Sequence, residues 1–221
     1  MVGGKGRSLA QLANLNLSVP AGFHLTTMAY RHFVDSNGLQ TNIEHIINRI
    51  GQDDGMTAAQ AAIEIQALFA AGSMPADIWD ALQKAYAKLG KVPVAVRSSA
   101  TAEDLPDMSF AGQQDSYLNV VGGEGVETAV LNCWASLWTA RAISYRQRMG
   151  IDHHAVAMGV VVQKMVPADV SGILFTANPT TGNRDEMVIN ASYGLGEAIV
   201  GGLITPDTYL IDRTSGDIQE T

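Results

Sequence analysis

Cysteine is almost absent from this sequence, which has one, Cys133, among 221 residues. A single cysteine excludes an internal disulfide and is typical of proteins kept in a reducing compartment. Long apolar runs are absent as well, since no stretch approaches the roughly 18 to 20 residues that cross a bilayer. The first residues also lack the apolar segment of a secretory signal peptide. We therefore expect a cytoplasmic globular protein without a membrane segment.

Basic residues are scarce, with 14 lysines and arginines against 22 aspartates and glutamates, and the formal net charge is −8. This balance leaves no basic stripe that could displace counterions from a nucleic acid, so general nucleic-acid binding is excluded. An acidic protein can still bind a nucleotide when a few cations are placed locally and a metal ion shares the phosphate charge. Isolated cations beside small residues are therefore the features to look for.

The most informative stretch covers residues 94–117, VAVRSSATAEDLPDMSFAGQQDSY. It begins as a buried strand and then places Arg97 directly before a run of small residues at 98–101. Backbone N–H groups approach phosphate oxygens closely only where side chains are small, and arginine adds a planar fork of donors. The stretch is either a polyanion-binding loop or an ordinary polar loop in which Arg97 pairs with Glu103 or Asp104. By itself it does not decide between them.

A glycine-rich segment, GGKG at residues 3–6, precedes a helix that we predict to begin at Arg7. Free N–H groups and the dipole make such a helix N-terminus attractive to anions, and Lys5 would add a point charge. The alternative is a flexible terminus with an exposed lysine. The spacing does not fit a Walker loop.

An apolar run at residues 160–162 is typical of a strand that is covered on both faces. It ends at Gln163, and a short segment without strand character follows. A flat base such as adenine could lie there between apolar side chains while backbone groups contact its edge. Many strands end in this way, so the pattern is weak evidence alone.

The remaining sequence indicates an α+β fold. Residues 1–90 carry helical spacing and form a mainly helical lobe with the glycine segment, and residues 91–221 form a lobe with the 94–117 stretch and several strands. A single long helix is predicted over about 126–149. Arg146 lies near its end, where a cation suits the dipole. We predict that His153 lies in a solvated turn.

Together and in this order, these segments resemble the nucleotide-binding domain of the phosphoenolpyruvate synthase and pyruvate phosphate dikinase family. The match runs along nearly the whole chain. It rests on GGKG at 3–6, VPAGF at 19–23, AVRSSATAEDLPDMSFAGQ at 95–113, CWASLW at 133–138, VVVQKMV at 160–166, SGILFTANP at 171–179 and ASYGLGEAIV at 191–200. The sequence around Asn178 and Asn183 is also similar to rifampin phosphotransferase, so the branch stays open.

The resemblance implies an ATP-grasp fold, in which two α+β lobes close on Mg-ATP, truncated here at both ends relative to the family. It implies catalytic contacts from Lys5 and Arg97 to the transferring phosphates. The positions that match the family's ATP-binding residues are Lys5, Arg97, Ser98, Thr101, Gly112, Gln113, Ser116, Gln163, Met165 and Val166. Ser116 stands where many relatives have threonine, and it keeps the hydroxyl. No metal ligand is expected within the chain, because the family's magnesium-binding residues lie beyond residue 221.

The resemblance also implies a phosphotransferase that splits ATP to AMP and phosphate through a phosphohistidine on another domain. Pyruvate is the implied acceptor, and an antibiotic hydroxyl is the alternative. None of the five histidines stands in the family's Thr-Ser-His-type motif, so we expect the histidine and acceptor domains to be missing here and the isolated chain to be inactive. A nucleotide-binding module without catalysis is the third possibility. The expected cofactors are ATP and Mg²⁺, with neither nucleic acid nor membrane as a partner.

Overall fold

The computed structural model describes residues 1–51, 55–100 and 116–220. They form two compact units, Met1–Met165 and Val166–Thr221. Both contain antiparallel sheet, and the first also contains most of the helices, so the predicted α+β class is confirmed. The sequence suggested lobes that divide near residue 90. The structure instead pairs strands from both sides of that position in one sheet, and the units divide after Met165.

The first unit consists of helices around a four-stranded antiparallel sheet with the strand order β1-β4-β2-β3. Its strands are β1 Gly22–Leu25, β2 Val94–Ala100, β3 Ser116–Val120 and β4 Met158–Lys164. Its helices are α1 Gly3–Asn14, α2 Thr27–Ser36, α3 Leu39–Asn48, α4 Ala58–Ala71, α5 Ala76–Lys88, α6 Gly123–Ala135 and α7 Ala140–Met149.

The core of the first unit lies on one face of this sheet. Because side chains alternate along a strand, Val94 and Val96 of β2 share this face, and Val160 and Val162 of β4 join them. All four are fully buried. An aromatic cluster contributed by α2, α4 and α6 belongs to the same core, with Phe33 and Trp134 ring centroids 5.2 Å apart. Helices of the core cover this face of the sheet, and α1 packs against the opposite face.

The prediction of one long helix over 126–149 is wrong, because a 3₁₀ turn, Ser136–Trp138, separates α6 from α7. Thr139 has extended backbone, with ψ 153°, and its hydroxyl accepts a hydrogen bond from the Ala142 N–H at 3.2 Å. Ser136 donates its hydroxyl hydrogen to the Cys133 carbonyl at 2.7 Å. Hydroxyl side chains that bond to nearby backbone favour caps over continued helix, and here they end one helix and start the next.

Arg146 of α7 is buried, with 1% of its surface exposed. Its guanidinium carbon lies 4.9 Å from the centre of the Trp138 ring, Nη1 donates to the Leu137 carbonyl at 2.8 Å, and Nε donates to His153 Nδ1 at 2.9 Å. His153 lies in the predicted turn, but its ring stacks on Trp138 and is only partly exposed, so the side chain is less solvated than predicted. Burial lowers the pKa of Arg146 to about 10. Burial, followed by the charge of Arg146, lowers the pKa of His153 to about 4.

The second unit is a four-stranded antiparallel sheet in the order β5-β6-β7-β8, with one short helix. Its elements are β5 Val170–Phe175, β6 Glu186–Tyr193, α8 Glu197–Val200, β7 Asp207–Asp212 and β8 Ile218–Glu220. Asn178 organises the β5–β6 connection, because its side-chain oxygen accepts from the N–H groups of Thr180 and Thr181.

Among the residues that the structure describes, no helix is both long enough and apolar enough to cross a membrane.

Candidate functional site

Three of the residues singled out from the sequence share one face of the first sheet. Arg97 on β2 lies directly opposite Ser116 on β3 and opposite Val161 on β4. Side chains of directly opposed residues point to the same side of a sheet, with Cβ atoms about 4.5–5.5 Å apart. Gln163 lies two residues beyond Val161 and therefore faces the same way. We call this surface the α1 face, because α1 packs against it.

The glycines at the start of α1 allow its backbone to approach β2 closely. Gly3 has φ +70°, a conformation that favours glycine, and a Cβ built on it would lie 2.1 Å from the Ser99 carbonyl oxygen. Gly3, Gly4 and Gly6 are all buried. The segment is therefore a packed turn, and the alternative of a loose N-terminus does not describe it.

Ser99 joins this turn to β2 through two hydrogen bonds. Its hydroxyl donates to the Val2 carbonyl at 2.9 Å and accepts from the Gly6 N–H at 3.3 Å. Val2 is the N-cap residue of α1 and makes no side-chain capping bond, so Ser99 supplies the cap from a distant part of the chain. As a result α1 begins at Gly3, and the predicted start at Arg7 is wrong. Ser99 itself was not singled out from the sequence, because no local pattern marks a cap contributed by a strand.

Lys5 is brought to the second half of β2, which carries Arg97 and Ser99. It lies in the first turn of α1, between the two backbone groups that Ser99 holds. Ser99 follows Arg97 by two residues, which is about 6–7 Å along a strand, and both lie on the α1 face. The positive end of the α1 dipole is in the same place. This region of an acidic protein is therefore suited to an anion.

The side chain of Arg97 is partly exposed. Within the described ranges the ion pairs lie elsewhere, and none of them includes Arg97. The alternative partners Glu103 and Asp104 fall outside those ranges. Directly opposite Arg97, Ser116 is exposed and offers a hydroxyl group that can donate to a bound anion. The pair thus presents a cation and a donor side by side.

Gln163 is buried, and its amide nitrogen donates to the Pro20 carbonyl at 3.0 Å. This bond holds the 19–23 turn against the end of β4. Gln163 also lines a cavity of about 150 Å³ between α1, β1 and β4, together with Leu9, Ala10 and Val161. The cavity is smaller than the roughly 300–1,000 Å³ of typical small-molecule pockets, so a base placed beside Gln163 needs space outside it.

Met165 and Val166 follow β4 and fall in different units. The Met165 N–H donates to the Pro93 carbonyl at 3.0 Å within the first unit. Val166 begins the second unit, and its side chain is exposed. The backbone groups of Met165 and Val166 were predicted to contact adenine. In the structure, the N–H group of Met165 already donates to a carbonyl of the protein.

Ser98 does not share the α1 face. It alternates with Arg97 along β2 and is fully buried, so its side chain is not available to a ligand in this structure. Three further predicted site residues lie outside the described ranges: Thr101, Gly112 and Gln113. The structure therefore brings together Lys5, Arg97, Ser116 and Gln163.

A cavity of about 400 Å³ lies along the outer edge of β1 and is bounded by α2 and α5. Its lining is mainly apolar, and it includes Asp77 and His24. It has the volume of a small-molecule pocket, but no lysine or arginine lines it, and a carboxylate would repel phosphate. Volume alone would have favoured this cavity, whereas the placement of charge favours the α1 face.

Within residues 1–51, 55–100 and 116–220, no three side chains of histidine, cysteine, aspartate or glutamate lie close enough together to hold a metal ion. The described residues therefore do not fit a protein-bound magnesium site. We assign no metal contact to them.

The sequence of this chain is similar to those of known proteins. The family model described as pyruvate phosphate dikinase, AMP/ATP-binding domain, matches residues 1–221. A probable phosphoenolpyruvate synthase of Pyrococcus abyssi is 43% identical and covers 100% of this chain, and one of Methanocaldococcus jannaschii is 46% identical and covers 99%. A phosphoenolpyruvate synthase of Aquifex aeolicus is 47% identical over 96% of this chain.

These relatives are much longer than the 221 residues described here. The chain spans 32% of the Pyrococcus abyssi protein, 19% of the Methanocaldococcus jannaschii protein and 26% of the Aquifex aeolicus protein. The match to the family model nevertheless extends over every residue of the chain. The chain therefore belongs to the family of pyruvate phosphate dikinase AMP/ATP-binding domains.

Proposed function

We propose that this chain binds ATP on the α1 face and holds its phosphates with Lys5, Arg97 and Ser116. The observation that supports this most directly is the composition of β2. One strand carries Arg97, pairs it with Ser116, and anchors the turn of Lys5 through Ser99. In a chain of net charge −8, this is a local concentration of donors suited to a polyanion.

In this proposal ATP lies along β2. Gln163 is paired with Ala95, near the beginning of β2, and Ser99 lies four residues further on, about 13 Å along the strand. Adenine would occupy the Gln163 end, beside Met165 and Val166, as the family resemblance implies. The phosphates would occupy the end with Arg97. We further propose that the fold is of the ATP-grasp type, as the family resemblance implies.

The phosphate end would act mainly by electrostatics. Arg97 can donate two parallel hydrogen bonds to phosphate oxygens, and Lys5 supplies a point charge. Donors held in place before the reaction stabilise the charge on a transferring phosphoryl group without reorganisation. As the family resemblance implies, the backbone at 98–113, including Thr101, Gly112 and Gln113, would add further contacts. Because Ser98 is buried, only its backbone would contribute.

Magnesium is the expected companion of ATP, since phosphoryl transfer generally uses metal ions to neutralise phosphate charge. No described cluster of side chains fits a metal site. Its ligands would therefore be the phosphates themselves and groups outside the described residues.

Arg97→Ala is expected to weaken ATP binding by about ten- to a hundredfold. A hydrogen bond to a charged group contributes roughly 1.5–3 kcal/mol, and about 1.4 kcal/mol corresponds to a factor of ten in affinity. Titration calorimetry of the 221-residue chain with ATP and Mg²⁺ measures the effect. Arg148→Ala is the matched control, because it removes the same charge from an exposed position on α7 and should leave affinity unchanged. Equal affinities for the wild-type chain and Arg97→Ala, or no binding by the wild-type chain at millimolar ATP, would contradict the proposed site.

The names of the relatives support a role in phosphoenolpyruvate synthesis. We infer that the longer enzyme to which such a domain belongs converts ATP, pyruvate and water to AMP, phosphate and phosphoenolpyruvate. The phosphoryl group would pass through a histidine on another domain. This chain would supply the site at which ATP is held and cleaved. This reaction would take place in the cytoplasm, a reducing compartment that fits a chain with one cysteine.

A domain replacement tests this role. When the 221 residues replace the matching segment of the Aquifex aeolicus enzyme, we expect release of AMP that depends on pyruvate. The same chimera with Arg97→Ala should lose at least about ten-fold of this rate, for the reason that applies to binding. A folded chimera that binds ATP but releases no AMP with pyruvate would instead favour a module without catalysis or a different acceptor, such as an antibiotic hydroxyl.

A further inference from the structure

Ser99 is a buried residue of β2 that connects this strand, which carries Arg97, to the helix turn that carries Lys5. None of its surface is exposed, so it does not touch a bound phosphate. Its hydroxyl donates to the Val2 carbonyl and accepts from the Gly6 N–H. The two bonded groups flank Lys5 in sequence. One side chain therefore fixes both ends of the turn that carries the lysine.

The fit between this turn and β2 is tight. A Cβ on Gly3 would approach the Ser99 hydroxyl oxygen to 2.4 Å, and a Cβ on Gly159, which pairs with Ser99 on β4, would lie 3.0 Å from the Val2 carbonyl oxygen. Both neighbours lack a side chain where the turn crosses the sheet. The turn can therefore pack closely against the sheet at this position, and the Ser99 hydroxyl makes the hydrogen bonds that hold it there.

We propose that Ser99 is a positioning residue that sets the distance between Lys5 and Arg97 for nucleotide binding. This inference rests on the proposed ATP site. Arg97 is fixed to β2 by being part of it, whereas Lys5 belongs to a helix that reaches β2 through Ser99. Loss of the hydroxyl leaves both Lys5 and Arg97 in the chain. It removes, however, the hydrogen bonds that hold the turn of Lys5 against the strand of Arg97.

Ser99→Ala is expected to lower ATP affinity about tenfold, which is the size of effect that loss of a buried hydrogen-bonding network produces. Ser136→Ala is the matched control. It also deletes a buried serine hydroxyl that makes a hydrogen bond, but on the α6 side of the molecule, away from the α1 face. It should reduce stability and leave ATP affinity unchanged. Equal losses of affinity in the two variants would assign Ser99 a merely structural role.

A double-mutant cycle with Lys5→Ala separates positioning from general damage, because residues that act through one another give non-additive effects. If Ser99 acts by placing Lys5, Ser99→Ala should reduce ATP affinity by less than about threefold once Lys5 is alanine. A tenfold loss in both backgrounds would overturn the inference. Calorimetry of the four proteins with ATP and Mg²⁺ gives the answer.

The cycle also distinguishes failure of this inference from failure of the proposed site. If Lys5→Ala and Arg97→Ala both leave affinity unchanged, the site itself is wrong. If both weaken binding but Ser99→Ala is additive with Lys5→Ala, only the positioning role is wrong. If Ser99→Ala does not fold, Ser99→Cys keeps a similar volume with a weaker hydrogen-bonding atom. It should show a smaller loss that again nearly disappears beside Lys5→Ala.

Discussion

Replacing Gly3 with alanine is expected to weaken ATP binding about a hundredfold. A residue other than glycine in the left-handed conformation costs roughly 1–2 kcal/mol, and Gly3 has φ +70°. The added Cβ would also lie 2.1 Å from the Ser99 carbonyl oxygen, which belongs to a strand paired with β4. Since the strand cannot yield without breaking its ladder, the turn must move away. This movement displaces both Lys5 and the helix N-terminus. The expected hundredfold loss of affinity corresponds to about 2.7 kcal/mol of binding free energy.

The control for this prediction is Gly150→Ala at the end of α7. Gly150 also has positive φ, +63°, but a Cβ there would meet nothing within 4 Å. It should therefore show the cost of backbone conformation alone, with lower stability and unchanged ATP affinity. Calorimetry with ATP and thermal unfolding of both variants separate the two effects. A Gly3→Ala protein that binds ATP as tightly as the wild type would show that close packing of this turn against β2 is not required for ATP binding.

The sequence predicted well those features that depend on local pattern. The strand before Arg97, the strand that begins at Ser116 and the strand that contains Gln163 are all found, but β2 continues through Arg97 to Ala100, where a loop was predicted. Antiparallel pairing then places these residues on one face. The alternation of side chains between the two faces of a strand can be predicted without knowing which distant residues pack against it. The residue register between strands, in contrast, came only from the structure.

The start of α1 shows what local pattern cannot supply. Helix N-termini are recognised in sequence by a serine, threonine, aspartate or asparagine at the N-cap, and Val2 is none of these. The capping hydroxyl comes from Ser99, which is adjacent only because the strand and the helix pack together. The glycines at 3, 4 and 6, whose pattern also fitted a flexible loop, are buried because the same strand and helix pack together. A non-local cap of this kind has no sequence signature.

Ser98 and Gln163 show a second limit. The resemblance assigned both to ATP binding by position in a motif, but motif position does not reveal which way a side chain points. Ser98 points away from the α1 face and is buried. Gln163 lies on that face, yet its amide nitrogen already bonds to Pro20. Their roles depend on packing that is settled by the whole sheet.

Arg146 is the clearest case in which tertiary packing overrode a sequence-based expectation. A basic residue in the last turn of a helix normally interacts with the dipole at the surface. Here the guanidinium lies over the ring of Trp138 and donates to the Leu137 carbonyl, both in the 3₁₀ turn that precedes α7. Its aliphatic stem and planar head then serve as core.

Arg146→Ala is expected to destabilise the first unit by about 3–5 kcal/mol. The change removes a large buried side chain, a cation–π contact to Trp138 and the hydrogen bonds to Leu137 and His153. Urea denaturation followed by tryptophan fluorescence measures the loss. Arg148→Ala, an exposed position on the same helix, should change stability by no more than about 0.5 kcal/mol.

Two further substitutions identify what Arg146 contributes. Among the described residues, no ion pair to a carboxylate includes its buried charge, and its Nη2 group has no hydrogen-bond partner. Burial of an incompletely paired charge opposes folding, so Arg146→Met, which keeps the packing volume and removes the charge, should cost less than Arg146→Ala. Arg146→Lys should cost nearly as much as alanine, because an ammonium group cannot both stack on Trp138 and bond in two directions. If lysine restores stability and methionine does not, charge, and not the planar packing of the guanidinium, holds this part of the core together.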